Sequence, residues 1–215
     1  MVDAPAVGAD APVVGVLALQ GDVPENVAML RDAGARATRV RRPADLDGLD
    51  GILIPGGEST TIGKLAAMYG LLEPLRERVA AGLPAFGTCA GAILLARRAV
   101  LHDGRPSDQP LLGGLDLVAR RNAFGRQVAS FEADVDVAGV DGGPMRAVFI
   151  RAPWFEEVGA GVRVLGTVDT PVGARVVVAR RGRVLASAFH PELTHDGRLH
   201  RLFVGIAGAQ RSTST

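Results

Sequence analysis

The sequence predicts a single α/β domain of three layers, in which a mostly parallel, flavodoxin-like sheet is flanked by helices. In the first half of the chain, short apolar runs rich in β-branched residues alternate with segments of helical periodicity, which is typical of strand–helix–strand units. The 215 residues, of which 47% are hydrophobic, are enough for one domain with a large core. No internal repeat or linker divides the chain.

The first strand is predicted at Val13–Leu19, which is short, apolar and rich in valine. Asp22 and Glu25 then have the spacing of a capping box, and the proline between them suits the first turn of a helix. This helix is expected to run to about Ala33 and to end at Gly34. The remaining elements of the first half are predicted as strands at Ala37–Val40, Gly51–Ile54 and Pro84–Phe86, and as helices from a cap at Ser59 to Tyr69, from Glu73 to Ala81 and from Ala90 to Arg98.

The second half of the chain is richer in strands. They are predicted at Leu115–Ala119, Ser130–Val137, Ala147–Ile150, Val162–Val168, Ala174–Ala179 and Val184–Ala188. The polar segment His102–Pro110 is expected to form a surface loop, and the last helix to run from Asp196 to about Ala209. We therefore expect a domain of residues 13–209, preceded by a flexible extension (1–12) and followed by a polar tail (210–215).

Charge and cysteine content exclude several classes of function. The formal net charge is only +1, from 24 basic and 23 acidic residues, which argues against nucleic acid or an anionic membrane as the main partner. The single cysteine excludes an intramolecular disulfide and a four-cysteine metal site, and it suits a reducing compartment. The first residues do not form a signal peptide, and no apolar run approaches the roughly 20 residues of a membrane span. We therefore expect a cytoplasmic protein.

The single cysteine lies in the pentapeptide Gly87-Thr88-Cys89-Ala90-Gly91, between a predicted strand and a predicted helix. That context is typical of a nucleophile elbow, in which small neighbours let a tight turn close and the substrate approach. The start of a helix favours a thiolate, and the N–H of Ala90 can face a developing oxyanion. The alternative is a buried cysteine that acts as a small hydrophobic residue.

A thiol nucleophile needs a base and a group that orients the base. His190 ends an apolar strand, and Glu192 follows two positions later, so the carboxylate can reach the imidazole if the chain is extended. Of the other histidines, His102 and His200 are expected to be solvated, and His195 has no carboxylate at the same spacing. The alternative for His190 is a histidine in a surface turn.

These residues resemble the class I, or triad, glutamine amidotransferases. Further segments make the chain similar, from Val13 to Phe203, to the glutaminase subunit of pyridoxal 5′-phosphate synthase. They are Leu19-Gln20-Gly21-Asp22, Pro55-Gly56-Gly57-Glu58-Ser59-Thr60-Thr61, Arg121-Asn122-Ala123-Phe124-Gly125-Arg126-Gln127, Phe131-Glu132-Ala133-Asp134, Phe149-Ile150-Arg151-Ala152-Pro153 and Phe189-His190-Pro191-Glu192-Leu193-Thr194.

The resemblance implies a class I amidotransferase fold and hydrolysis of L-glutamine to glutamate and ammonia, without a metal or an organic cofactor. It also implies a synthase subunit as partner, which receives the ammonia through a tunnel and activates the glutaminase on docking, with twelve subunits of each kind in the full complex. The carried-over roles are nucleophile for Cys89, base for His190 and orienting group for Glu192. The implied glutamine-binding residues are Gly57, Glu58, Ser59, Arg121, Ile150 and Arg151. Gln20 matches a residue near the interface and the oxyanion loop.

The chemistry of glutamine suits these residues. Its carboxylate needs a cation or N–H donors, for which Arg121 or Arg151 and the loop amides are suitable, and its ammonium needs an acceptor such as Glu58 or a carbonyl. The Gly56–Gly57 pair permits a peptide flip that would complete, with Ala90, the oxyanion hole when a partner binds. The alternatives are an ordinary strand-to-helix turn and surface arginines.

Three rival functions differ in partner or class. The chain could be the glutaminase of another biosynthesis, such as imidazole glycerol phosphate formation, and co-purification with a synthase would decide between them. It could be a γ-glutamyl hydrolase, which would act without a partner. It could be a non-catalytic regulatory module on the same fold, which would tolerate loss of Cys89.

Overall fold

A computed structural model describes residues 8, 10–124 and 130–211 of the chain. Residues 1–7 and 9 of the predicted extension, residues 212–215 of the predicted tail, and the Gly125–Gln127 part of the motif that begins at Arg121 lie outside the described residues.

Short strands and five helices account for the regular structure of the described residues. The strands are β1 (Val13–Leu17), β2 (Arg36–Val40), β3 (Gly51–Ile54), β4 (Ala85–Thr88), β5 (Ala96–Val100), β6 (Leu115–Arg120), β7 (Ser130–Val135), β8 (Met145–Ile150), β9 (Trp154–Glu156), β10 (Arg163–Val168), β11 (Arg175–Arg181) and β12 (Val184–Ser187). The helices are α1 (Val23–Asp32), α2 (Ser59–Met68), α3 (Leu72–Ala80), α4 (Ala90–Leu95) and α5 (Arg198–Arg211), with 3₁₀ turns at Pro43–Leu46 and Pro191–Leu193.

The predicted fold class is confirmed. Ten of the described strands form one sheet, in the order β2-β1-β3-β4-β12-β11-β9-β6-β5, with β10 paired to β11. The pairs from β2 to β12 are parallel, and antiparallel pairs follow from β12 through β11 and β9 to β6. The remaining two strands, β7 and β8, form a separate antiparallel pair. Both β3 and β4 are buried along their whole length, as expected where helices cover both faces of a parallel sheet.

The helix predicted from Ala90 to Arg98 is wrong in its last three residues. It ends at Leu95, and the chain continues directly as β5, which pairs with β6. The side chains of Arg97 and Arg98 form ion pairs with Asp116 and Glu157 at 2.8 and 2.7 Å. Ala, Leu and Arg all favour a helix locally, so pairing with a distant strand and these ion pairs override the local preference.

The topology brings the two predicted catalytic segments to one edge of the sheet. Since β4 and β12 are parallel neighbours with Thr88 opposite Ser187, the residues that follow them leave the sheet side by side. Cys89 follows β4, and His190 follows β12 after two further residues. The carboxyl ends of parallel strands are where open α/β sheets bind ligands.

Within the described ranges, no helix is long and apolar enough to cross a membrane.

Candidate active site

Cys89 lies in a strained turn between β4 and α4. Its φ of 45° and ψ of −100° are unusual for a residue other than glycine, and its side chain is buried. The N–H of Cys89 donates to the Ser187 carbonyl at 2.8 Å, which ties the turn to β12. The turn also needs glycine at position 91, because a Cβ there would lie 1.9 Å from the Ile54 carbonyl oxygen.

His190 is buried beside the nucleophile. Its Nδ1 lies 2.9 Å from Glu192 Oε1, and its ring is close enough to the Cys89 thiol for the two groups to interact electrostatically. Because Nδ1 faces the carboxylate, Nε2 is the ring nitrogen left for the thiol. The expected contact with Glu192 is therefore present, but not through an extended chain. Pro191–Leu193 forms a 3₁₀ turn, which brings Glu192 back under the ring.

A second carboxylate, which the sequence reasoning did not assign to the site, also contacts His190. Asp22 Oδ2 lies 3.2 Å from His190 Nδ1. The predicted capping box of Asp22 and Glu25 is wrong, because Asp22 occupies the N-cap position of α1 but its side chain makes no capping hydrogen bond. The carboxylate turns to the imidazole instead. Its position in the loop between β1 and α1, at the carboxyl edge of the sheet shared with Cys89, is the signal that could have identified it.

The surroundings of His190 favour the charged imidazolium. Burial alone would lower the pKa of the ring, but hydrogen bonds with Asp22, Cys89 and Glu192 outweigh burial and raise the pKa of His190 to about 12. The pKa of Asp22 is lowered, chiefly by its hydrogen bond to His190. The arrangement is suited to a thiolate–imidazolium pair, in which the histidine holds a proton for a leaving group.

The loop after β3 carries the predicted binding residues. Glu58, and not the predicted Ser59, is the N-cap of α2, since its carboxylate accepts from Thr60 N–H at 3.1 Å and Thr61 N–H at 2.7 Å. The side chain of glutamate is longer than that of serine, so the Glu58 carboxylate reaches the N–H groups of the first turn of α2. Partial burial alone would raise the pKa of Glu58, but hydrogen bonds with Thr61 and Thr60 outweigh burial and lower this pKa to about 2. The Ser59 hydroxyl instead donates to Gln109 Oε1 at 2.9 Å.

The two arginines differ in how they are held. Arg121 Nη2 forms an ion pair with Glu58 Oε1 at 2.8 Å. Arg151 has a φ of 45° and an exposed side chain, which makes no hydrogen bond or ion pair with any described residue. Glu58 is therefore engaged by α2 and by Arg121, which makes it a poorer acceptor for a substrate ammonium than its carboxylate alone suggests.

Most of the predicted residues line one cavity of about 380 Å³. Its walls are Gln20, Asp22, Gly57, Glu58, Ser59, Cys89, Ala90, Ile93, Arg121, Asn122, Ile150, Arg151, His190 and Leu193. Of the predicted residues, Glu192 lies behind the imidazole, and Gly56 packs against the ring, where a Cβ would lie 2.4 Å from His190 Cε1. A larger depression of about 610 Å³ along β2 contains no nucleophile.

The other described histidines have no place in this cavity. His102 and His195 are exposed, whereas His200, expected to be solvated, is fully buried. Its Nε2 lies 3.1 Å from Asn26 Oδ1, and its ring forms a T-shaped pair with Phe86. The prediction failed because His200 lies on the face of α5 that packs against the sheet.

A metal ion has one possible set of ligands among the described residues. The donor atoms of Asp22, His190 and Glu192 lie within 4.8 Å of one another. However, both carboxylates approach the same ring nitrogen, Nδ1, which suits a shared N–H better than a common cation.

Comparisons with known proteins agree with this geometry. A family model described as the SNO glutamine amidotransferase family matches residues 16–207. The chain is 62% identical over 200 residues to the pyridoxal 5′-phosphate synthase subunit PdxT of Acidothermus cellulolyticus, covering 93% of this chain and 95% of that protein. It is 63% identical over 196 residues to the protein of the same name from Thermobifida fusca, covering 91% and 96%.

Solved structures give the same picture. One described as a glutamine amidotransferase superposes with a TM-score of 0.82 and is 52% identical, covering 91% of this chain and 98% of that one.

Proposed function

Because the chain belongs to the SNO glutamine amidotransferase family, we propose that it hydrolyses L-glutamine and supplies the ammonia for pyridoxal 5′-phosphate synthesis. The observation that carries this proposal is the buried His190, which contacts the Cys89 thiol on one side and a carboxylate on the other. A glutamine side chain that enters the cavity would meet the sulfur beside a base that is already oriented.

The proposed reaction proceeds through a thioester. His190 takes the Cys89 proton, and the thiolate attacks the side-chain carbonyl of glutamine. The resulting oxyanion accepts hydrogen bonds from the N–H of Ala90 and from the Gly56–Gly57 loop. The imidazolium returns its proton to the amide nitrogen, the C–N bond breaks, and ammonia leaves. Water then hydrolyses the γ-glutamyl thioester, with His190 as base, to release glutamate and restore the thiol.

The rest of the cavity is proposed to hold the amino-acid head of glutamine. Arg121 is suited to the α-carboxylate because Glu58 already fixes its guanidinium in the wall of the cavity. Gly57, Glu58, Ser59, Ile150 and Arg151 line the same cavity. We propose their backbone carbonyl and N–H groups as further partners of the substrate, apart from the Glu58 N–H, which donates to Gln20. Since Glu58 is fully engaged, a carbonyl is the better candidate for the substrate ammonium.

The Gly56–Gly57 loop is held in one orientation by Gln20 and Asp22. The Gly56 carbonyl accepts from Asp22 N–H at 3.1 Å, and Glu58 N–H donates to Gln20 Oε1 at 2.8 Å. Gly57 has a φ of 149°, which glycine adopts without strain. We propose that docking of a partner releases these bonds, so that the loop turns an N–H toward the oxyanion. If the isolated subunit is as active as the complex, the proposed turn of the loop on docking is disproved.

The proposed partner is the synthase subunit of pyridoxal 5′-phosphate synthase, in a cytoplasmic complex with twelve subunits of each kind. Ile150 and Leu193 support a docked protein at the cavity mouth, because both line the cavity and remain 40% and 44% exposed. Apolar side chains beside a reactive site are typical of an interface. A docked synthase would also keep the ammonia from escaping to solvent.

The test is ammonia release from glutamine by the purified chain, with and without the synthase subunit from the same organism. We expect strong activation by the synthase and no ammonia from Cys89→Ala in either condition, although Cys89→Ala should still bind the synthase. Near-normal release by Cys89→Ala would disprove the assignment of the nucleophile. Equal activity without the synthase would favour a glutaminase that acts alone.

A further inference from the structure

Asp22 is placed as a helix cap but does not act as one. It precedes α1 in the N-cap position, where an aspartate normally accepts from the backbone N–H groups of the first turn. Here the side chain makes no such bond and lies 3.2 Å from His190 Nδ1. The Asp22 side chain is 34% exposed. Its carboxylate therefore faces the imidazole although both a capping position and solvent are within its reach.

The ring nitrogen that Asp22 approaches is already the partner of Glu192. Glu192 Oε1 lies 2.9 Å and Asp22 Oδ2 3.2 Å from the same Nδ1, which carries at most one hydrogen. Two carboxylates this close to one point repel each other unless a positive charge lies between them. The pair is therefore stable next to a protonated ring and much less so next to a neutral one.

The backbone holds Asp22 in this position from two sides. Its carbonyl accepts from Asn26 Nδ2 at 2.8 Å, and in the resting loop its N–H donates to the Gly56 carbonyl at 3.1 Å. The proposed turn of the Gly56–Gly57 loop breaks only the bond to Gly56, so the bond to Asn26 still holds Asp22 in the docked complex. Asn26 is itself buried, and its Oδ1 lies 3.1 Å from His200 Nε2. The contact with His190 is thus built into the start of α1 and is not a chance rotamer of a surface side chain.

We propose that Asp22 is a second positioning residue for His190, which acts with Glu192 to hold the ring by Nδ1 and to keep it protonated until ammonia leaves. This inference rests on the proposed glutaminase function. The charged or titratable groups that face His190 are Asp22 from the start of α1, Glu192 from the 3₁₀ turn and Cys89 from the turn before α4. Only Asp22 among them can be neutralised without removing a member of the proposed triad.

The test is the isosteric variant Asp22→Asn, with Glu25→Gln as the matched control. Glu25 is an exposed carboxylate in the first turn of the same helix, so the control loses the same charge away from the ring. In the complex with the synthase, we expect Asp22→Asn to lower kcat about tenfold and to leave KM within about twofold. The variant removes a negative charge beside the imidazolium, and such a charge stabilises the protonated ring by roughly one pKa unit, which corresponds to about a factor of ten. The basic limb of the kcat profile should move about one pH unit lower.

A direct measurement of His190 makes the inference independent of turnover. NMR signals of the ring should show that His190 loses its proton at a lower pH in Asp22→Asn than in the parent chain. In Glu25→Gln, His190 should lose its proton at the same pH as in the parent chain. If Asp22→Asn does not fold, Asp22→Ser removes the same charge with less bulk. An unchanged His190 titration and kcat would overturn the proposal, as would a higher KM with an unchanged pH profile, which would make Asp22 a substrate ligand. Absence of glutaminase activity in the parent complex would instead reject the proposed function.

Discussion

The Arg121 guanidinium lies 2.8 Å from the Glu58 carboxylate, so the two residues form an ion pair in the wall of the cavity. Glu58 also caps α2 through the N–H groups of Thr60 and Thr61. The cation is therefore anchored to a helix before any substrate arrives. An anchored side chain loses less conformational entropy when it binds a ligand than a free one does.

We expect Arg121→Ala to raise KM for glutamine about tenfold, with a smaller change in kcat, because a hydrogen bond to a charged group contributes roughly 1.5–3 kcal/mol. Arg151→Ala is the matched variant, since its exposed side chain is held by no described residue, and we expect it to raise KM less. Initial rates of ammonia release over a range of glutamine concentrations measure both. A larger effect from Arg151→Ala would reverse the assignment of the carboxylate-binding cation.

Gly91→Ala should destabilise the chain and inactivate it. A Cβ at position 91 would lie 1.9 Å from the Ile54 carbonyl, so α4 must shift away from β3, and overpacking of this kind costs roughly 1–3 kcal/mol. Gly205→Ala in α5 is the control, because a Cβ there would meet no described atom within 4 Å outside its own stretch of helix. Alanine there should stabilise the helix by about 0.5–1 kcal/mol. Chemical denaturation measures both changes, and equal stabilities would show that the turn tolerates a side chain.

The free energy of unfolding should decrease as the pH is lowered from about 6.5 to about 4, because of His200. Burial, with a smaller contribution from Arg201, lowers the pKa of His200 to about 4. The folded state therefore favours the neutral ring, and the unfolded chain binds the proton first as the pH falls below 6.5. The resulting stability is fully present above pH 6.5 and is lost as the pH falls toward 4, by at most about 1.4 kcal/mol per pH unit.

The check is the free energy of unfolding at several pH values for the parent chain, His200→Gln and the exposed His102→Gln. The difference between the parent and His200→Gln should shrink as the pH falls, and His102→Gln is the control for replacing an exposed histidine. Parallel curves for the parent and His200→Gln would mean that His200 is solvated in solution.

Ser59 and Gln109 should be coupled energetically. The Ser59 hydroxyl donates to Gln109 Oε1 at 2.9 Å, and both side chains are buried, so the bond joins the start of α2 to the loop that begins at His102. Gln109 Nε2 has no partner among the described atoms, which limits the benefit of the amide. A double-mutant cycle of Ser59→Ala and Gln109→Leu should give a coupling of about 0.5–1.5 kcal/mol in unfolding. Additive effects would mean that the bond contributes nothing.

Local patterns in the sequence predicted much of the fold. The strand at Gly51–Ile54 agrees with β3 at both ends, and the helix expected to end near Ala33 before Gly34 agrees with α1. Such elements are readable because apolar periodicity and glycine stops act over a few residues. The spacing of Cys89, His190 and Glu192 also indicated a triad, although their catalytic roles remain a prediction.

The tertiary structure decided which of several available contacts each side chain makes. Sequence alone determined that Asp22 and Ser59 could each cap a helix, yet Asp22 faces His190 and Ser59 bonds to Gln109, while Glu58 caps α2. Likewise, the segment after Leu95 could locally have extended α4, but it pairs with β6 and forms the strand β5. The physical reason is that a polar group or a backbone strand has several local options of similar free energy, and only partners distant in sequence make one of them dominate.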